Sequence, residues 1–138
     1  MHTAEIYDTT LRDGLQQEGL SLTARDRLQV ARLIDQLGVD YIEGGWPGAS
    51  PKDDEFFALA AEELHLEHAE LVAFGSTCRV GTDPADDPLV AGTLAAGTPV
   101  VCIVGKSWDY HVTDVLRTDL DEGVRIVADS IAYYRAQG

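Results

Sequence analysis

Tyr7-Asp8-Thr9-Thr10-Leu11-Arg12-Asp13-Gly14-Leu15-Gln16 runs from an extended, β-prone stretch into an arginine–aspartate pair followed by a glycine. Together with Glu5 and Ile6 it predicts a first strand over residues 5–11 whose carboxyl end carries Arg12 and Asp13. Working outward, Thr23-Ala24-Arg25-Asp26 forms a capping box, opening a helix on which Leu28, Ala31, Ile34 and Leu37 share a face and which Gly38 ends. Residues 39–44 predict a second strand ending in Glu43 and Gly44. Ser50-Pro51-Lys52-Asp53 then places a cap, a first-turn proline and an acid ahead of Phe56, Phe57, Leu59, Ala60 and Leu64, a second helix.

The same alternation continues. Residues 71–75 predict a third strand, a loop rich in Gly, Asp and Pro follows it, and residues 89–96 form a short helix. Val100, Val101, Cys102, Ile103 and Val104 are a continuous apolar run, as in a strand covered on both faces. Residues 108–117 allow an extra helical turn or two. Thr118-Asp119-Leu120-Asp121 caps a last helix carrying Val124, Val127, Ile131 and Tyr134. Four βα units of this kind make an α/β fold with a parallel sheet. A doubly wound sheet and about half of a (β/α)8 barrel fit the periodicity equally well, and both bind ligands at the carboxyl ends of their strands. Arg12, Asp13, Glu43 and Arg79 are therefore expected on one rim.

Ten basic and 24 acidic side chains give a formal charge of −14, which repels nucleic acid and anionic lipid. No apolar run approaches the roughly 20 residues that cross a bilayer. The opening Met1-His2-Thr3-Ala4-Glu5-Ile6 lacks the basic and apolar regions of a signal peptide, which predicts a cytoplasmic protein. An acidic chain that binds an anion needs local positive charge at the site. Cys78 and Cys102 have no metal or redox spacing and read as packed thiols. His65 and His68, flanked by Glu62, Glu63 and Glu67, read as a solvated helix terminus, and no dinucleotide or P-loop glycine pattern occurs.

The first-strand segment, residues 7–16, closely resembles the LRDGxQ motif of the acyl-CoA condensing metallolyases, the citramalate, 2-isopropylmalate and homocitrate synthase family, whose members are TIM barrels. Tyr41-Ile42-Glu43-Gly44-Gly45-Trp46-Pro47-Gly48 is similar to that family's second-strand motif. Its Gly-Gly-Trp-Pro form, with Phe74-Gly75-Ser76-Thr77 and Gly105-Lys106-Ser107-Trp108-Asp109, resembles the citramalate branch. The resemblance implies that residues 1–138 are the N-terminal half of the catalytic barrel, its first four βα units. It implies a metal ligand in Asp13, a catalytic and substrate-binding role for Arg12 at a keto oxygen, a catalytic or orienting role for Glu43, and substrate contacts from Gln16, Arg79 and His111. It further implies a divalent cation (Mg, Mn or Zn), acetyl-CoA and a 2-oxo acid as ligands, and a homodimer in the full-length form. The family's HxH metal motif and its catalytic glutamate would fall beyond Gly138, so the chain alone is expected to be inactive. The reaction implied is condensation of acetyl-CoA with pyruvate to citramalate, a transferase step toward isoleucine and leucine. The alternatives are a 2-isopropylmalate synthase with a branched 2-oxo acid, or an inert half-barrel that assembles with a partner.

Overall fold

The computed structural model describes residues 4–138, so the first three residues of the opening segment lie outside the described residues. The first strand, β1 (Tyr7–Asp8), is far shorter than the expected residues 5–11. Its end is set by local hydrogen bonding. The Thr9 carbonyl accepts the N–H groups of Arg12, Asp13 and Gly14 at 3.2, 2.9 and 3.1 Å, and the Asp8 carboxylate accepts the Thr10 N–H at 2.9 Å. The chain therefore coils directly after Asp8. Leu11 is buried as part of that coil, which leads into a 3-10 turn, Gly14–Gln16.

Helix α1 (Ala24–Asp35) begins as predicted: the Thr23 hydroxyl accepts the Asp26 N–H, and the Asp26 carboxylate accepts the Thr23 N–H. Leu28, Ala31 and Ile34 enter the core. Leu37 does not; it lies beyond the helix end, where Gly38 turns the chain at φ +76°, and is 79% exposed. Strand β2 (Tyr41–Gly45) follows, then α2 (Pro51–Glu63), capped by Ser50 and packing Phe56, Phe57 and Ala60 inward. Strand β3 (Glu70–Ser76) is locked at its start by buried Asp35, whose carboxylate accepts the N–H groups of Glu67, His68 and Ala69. Burial alone would raise that carboxyl, but the three N–H donors hold it below its ordinary range. His65 and His68 are exposed after α2, as expected.

Helix α3 (Pro88–Ala95) is capped by Asp87, and β4 (Val100–Val104) completes the sheet. The extra turn expected near residues 108–117 is a π-helical turn, His111–Val115, and Asp119 caps α4 (Leu120–Gln137). One expectation fails here. Strand β4 is not covered on both faces; its residues are half-buried and Val104 is exposed, because one edge has no neighbouring strand among the described residues. In α4 the inner stripe is Gly123, Ile126 and Ser130, with Val127 and Tyr134 half-buried, whereas Val124 and Ile131 face outward. Gly123 lets Val112 approach closely, and the Ser130 hydroxyl accepts the Cys78 N–H at 2.8 Å, so packing selects that stripe.

The four strands are parallel in the order β1-β2-β3-β4. A doubly wound sheet reverses its strand order at a switch point, whereas a barrel adds each strand beside the last. The observed order is therefore that of four successive barrel units. Between β2 and β3 the register slips: Glu43 pairs with Val72 and Gly45 with Ala73, leaving Gly44 as the extra residue of a β-bulge. A side chain at Gly44 would meet Phe56 at 2.7 Å and Leu71 at 3.0 Å. Across this bulge lies buried Arg27 of α1, which donates to the Gly44 carbonyl and to Asp53 Oδ1 at 2.9 Å, with its guanidinium 4.4 Å over the Phe56 ring.

Candidate functional site

The β1 coil and β2 bring three of the expected residues together. Arg12 Nε donates to Glu43 Oε2 at 2.6 Å, and Arg12 Nη1 donates to Asp13 Oδ1 at 3.2 Å. Burial differs sharply along this chain of contacts: the side chain of Glu43 is 2% exposed, that of Arg12 21% and that of Asp13 62%. Glu43 is thus an anchor, Arg12 a held cation at the rim, and Asp13 an outward-facing carboxylate. Among the described residues Arg12 Nη2 has no hydrogen-bond partner.

Two neighbours complete the grip, and neither received a role from the sequence. The Tyr7 hydroxyl donates to Glu43 Oε1 at 3.0 Å, so both carboxylate oxygens of the buried anchor are used. Burial, then the Cys102 thiol and the Glu43 carboxylate, push the Tyr7 phenol well above its ordinary value of 10.0. The Arg12 guanidinium also lies 4.2 Å from the centroid of the Phe74 ring, a cation–π contact that fixes its plane. Phe74 is held edge-on by Trp46 at 5.2 Å. Period-two alternation could have placed Tyr7 and Phe74 on one face of their strands. Pairing them with Glu43 and Arg12 needs the register Tyr7↔Tyr41 and Val72↔Glu43, which no single strand encodes.

Beside Arg12 opens a cleft of about 300 Å³ lined by Arg12, Leu15, Gln16, Arg27, Trp46 and Lys52 among others. Gln16, exposed at the end of the 3-10 turn, lines it. The buried Trp46 indole N–H and Arg27 Nε have no acceptor. A cleft lined by the cationic side chains Arg12 and Lys52, with Asp53 also on its wall, suits an oxyanion or carboxylate.

Arg79 is not drawn into this cluster. Its backbone N–H and its Nε donate to Asp87 Oδ2 at 2.7 and 3.2 Å, and Asp87 is fully buried at the cap of α3. Burial would raise the Asp87 carboxyl, but the N–H groups of Arg79 and Leu89 and the Arg79 guanidinium hold it low. His111 stands in the π-helical turn after β4, edge-on to Trp108 at 4.9 Å, and neither it nor Arg79 lines the cleft.

For a divalent cation the donor set is incomplete. Asp13 offers one carboxylate with Oδ2 free, and among the described residues no cluster of three or more His, Cys, Asp or Glu side chains could hold a metal ion. Hard cations need several oxygen or nitrogen ligands. The cluster of Arg12, Asp13 and Glu43 has a formal charge of −1, so a cation at Asp13 would be needed to make the rim attractive to an anion.

A family model described as HMGL-like matches residues 3–138. Among curated proteins, the (R)-citramalate synthase of Streptomyces coelicolor is 53% identical over 133 residues, which are 96% of this chain and 25% of that protein. The (R)-citramalate synthase of Synechocystis is also 53% identical, over 96% of this chain and 24% of its own length. The chain thus spans about a quarter of the length of the curated relatives it matches. Among solved structures, HMG-CoA lyase of Bacillus subtilis superimposes with a TM-score of 0.67 at 16% identity, covering 96% of this chain and 43% of the lyase, a likeness of fold. No helix among the described residues is long and apolar enough to cross a membrane.

Proposed function

The chain belongs to the HMGL-like family, and from that premise we propose that it presents the arginine rim on which a citramalate synthase holds pyruvate. In this reading the whole enzyme joins the methyl carbon of acetyl-CoA to the keto carbon of pyruvate. Water then cleaves the thioester, releasing citramalate and free CoA. The work belongs to the cytoplasm and to the supply of branched-chain amino acids, and the full-length enzyme is a homodimer.

The observation that supports this most directly is the grip on Arg12. A guanidinium fixed by a buried carboxylate at 2.6 Å and by an aromatic face at 4.2 Å retains Nη2 for an incoming oxygen. As the keto carbon is attacked, its oxygen gains negative charge, and a pre-oriented cation stabilises that charge without reorganising. Glu43 acts by holding Arg12, and Gln16 orients the substrate carboxylate from the cleft. Asp13 would supply one ligand to a divalent cation, which when bound polarises the carbonyl. The described residues do not complete its shell, so the chain alone is inactive. Arg79 and His111 contribute at most from the mouth of the barrel, since one is tied to Asp87 and the other lies edge-on to Trp108.

The experiment replaces the matching segment of the Streptomyces coelicolor enzyme with this chain and measures thiol release from acetyl-CoA. Activity with pyruvate that disappears in Arg12→Gln is the expected outcome, with none from the 138-residue chain by itself. Preference for 2-oxoisovalerate would replace the reading with a 2-isopropylmalate synthase. A folded but inactive chimaera would favour an inert half-barrel.

A further inference from the structure

The chain is strongly acidic, yet the wall of the cleft beside Arg12 is not. Of the four charged side chains that line it, Arg12, Arg27, Lys52 and Asp53, three are basic, in a chain with 10 basic and 24 acidic residues. Every lining residue lies between Leu11 and Asp53, so the cleft is built by two consecutive βα units. Three of the four charges have partners. Arg27 donates to Asp53 Oδ1 at 2.9 Å, and Arg12 is shared between Glu43 and Asp13, a cluster whose formal charge is −1. Lys52 differs. Among the described residues it makes no ion pair, and its ammonium gives one of its three donors to the Ser21 hydroxyl at 3.3 Å. It also stands in the first turn of α2, where the positive end of the helix dipole disfavours a cation and favours acids such as Asp53 and Asp54. A charge that serves neither the helix nor an ion pair is available to a ligand.

We propose that Lys52 makes this cleft a dicarboxylate site, in which Arg12 takes one carboxylate and Lys52 the other. The two cations stand on different elements, the β1 coil and α2, and apolar side chains, among them Leu15, Leu22 and Trp46, line much of the remaining wall. Positive charge presented at two points on an otherwise apolar wall fits a short carbon skeleton with a carboxylate at each end, whereas a single phosphate is better met by donors that converge. Apolar walls lower the local dielectric and strengthen both contacts. Lys52 also brings the −1 of the Arg12 cluster to neutral, which removes the repulsion that a second carboxylate would otherwise meet. The identity of the ligand rests on the function proposed above. Pyruvate carries one carboxylate, whereas citramalate, once its thioester is cleaved, carries two, so Lys52 favours product over substrate and the cleft retains it.

Pyruvate, citramalate and inorganic phosphate are the probes, titrated into the isotope-labelled 138-residue chain with EDTA present. Nuclear magnetic resonance follows the amides of Leu20, Ser21 and Leu22 and the Trp46 indole, all from residues of the cleft wall. Citramalate is expected to bind about three- to fivefold more tightly than pyruvate, the effect of one exposed charge contact. Lys52→Gln removes that preference and Lys52→Arg, which keeps the charge, retains it. Lys106→Gln removes a lysine that does not line the cleft and leaves the preference in place, which separates a local contact from the overall charge of the chain. Equal affinity for citramalate and pyruvate, an unchanged preference in Lys52→Gln, or phosphate binding as tightly as citramalate overturns the dicarboxylate site. So does the absence of any shift in these signals up to about 50 mM citramalate. The proposed function fails separately: a chimaera that prefers 2-oxoisovalerate removes pyruvate from that reading, while the dependence on Lys52 is measured on the chain itself and is unaffected.

Discussion

Replacing Glu43 tests how the rim is held. The side chain is 2% exposed and accepts from Arg12 Nε at 2.6 Å and from the Tyr7 hydroxyl at 3.0 Å. Removing one partner of a buried pair typically costs about 3–5 kcal/mol, because the other charge is left uncompensated. Arg12 keeps about a fifth of its surface in water and retains Asp13 at 3.2 Å, which screens part of that loss. For Glu43→Ala the expected destabilisation is therefore about 2–3 kcal/mol, and for Glu43→Gln, which keeps the volume and an acceptor oxygen, about 1–2 kcal/mol. Urea unfolding followed by circular dichroism measures both, with an unchanged m-value showing that the folded and unfolded states are otherwise the same. The order parent, Gln, Ala is required. An alanine variant within about 0.5 kcal/mol of the parent would mean that Glu43 does not anchor Arg12, and the account of the rim would fail.

Tyr7→Phe should remove stability that the parent shows below the ordinary tyrosine range and loses as pH rises above 10.0, since the fold favours the neutral phenol; alkaline denaturation of the two proteins should converge at high pH. Gly44→Ala should cost about 1–3 kcal/mol, because its Cβ would sit 2.7 Å from Phe56, and thermal unfolding would show it. Ser130→Ala strands the buried Cys78 N–H and should cost about 1–3 kcal/mol, with faster hydrogen exchange at that amide. Glu122 is held down to about 2 by Arg125 and the Gly81 N–H, so this contact stabilises above the ordinary carboxyl value of 4.5 and fades as pH falls toward 2. A Glu122 carboxyl that titrates near 4.5 by nuclear magnetic resonance would contradict it.

Much of the fold was legible because helix starts write their own signals: Thr23 and Ser50 cap as expected and Asp119 caps within the expected Thr118–Asp121 segment, whereas Asp87 caps α3 without having been singled out. Helix ends and strand lengths were not, since they depend on hydrogen bonds with distant partners or on coils such as that at Thr9. Periodicity alone did not fix the inner stripe of α4; the close approach of Val112 to Gly123 does. The pairing of Arg12 with Asp13 was visible as adjacency and with Glu43 as two strand ends. Tyr7 and Phe74 were invisible as site residues because their roles arise from register. Arg79 stood at the expected height on its strand, but Asp87, eight residues on, holds its charge elsewhere.

Arg27 ties α1, the bulged carbonyl of β2 and the first turn of α2 through contacts spanning no more than 26 residues of chain. A tie that short can form while the polypeptide is still leaving the ribosome, before β3 and β4 have emerged. The first two βα units thus gain a clasp early in translation, and later segments dock onto a surface already set.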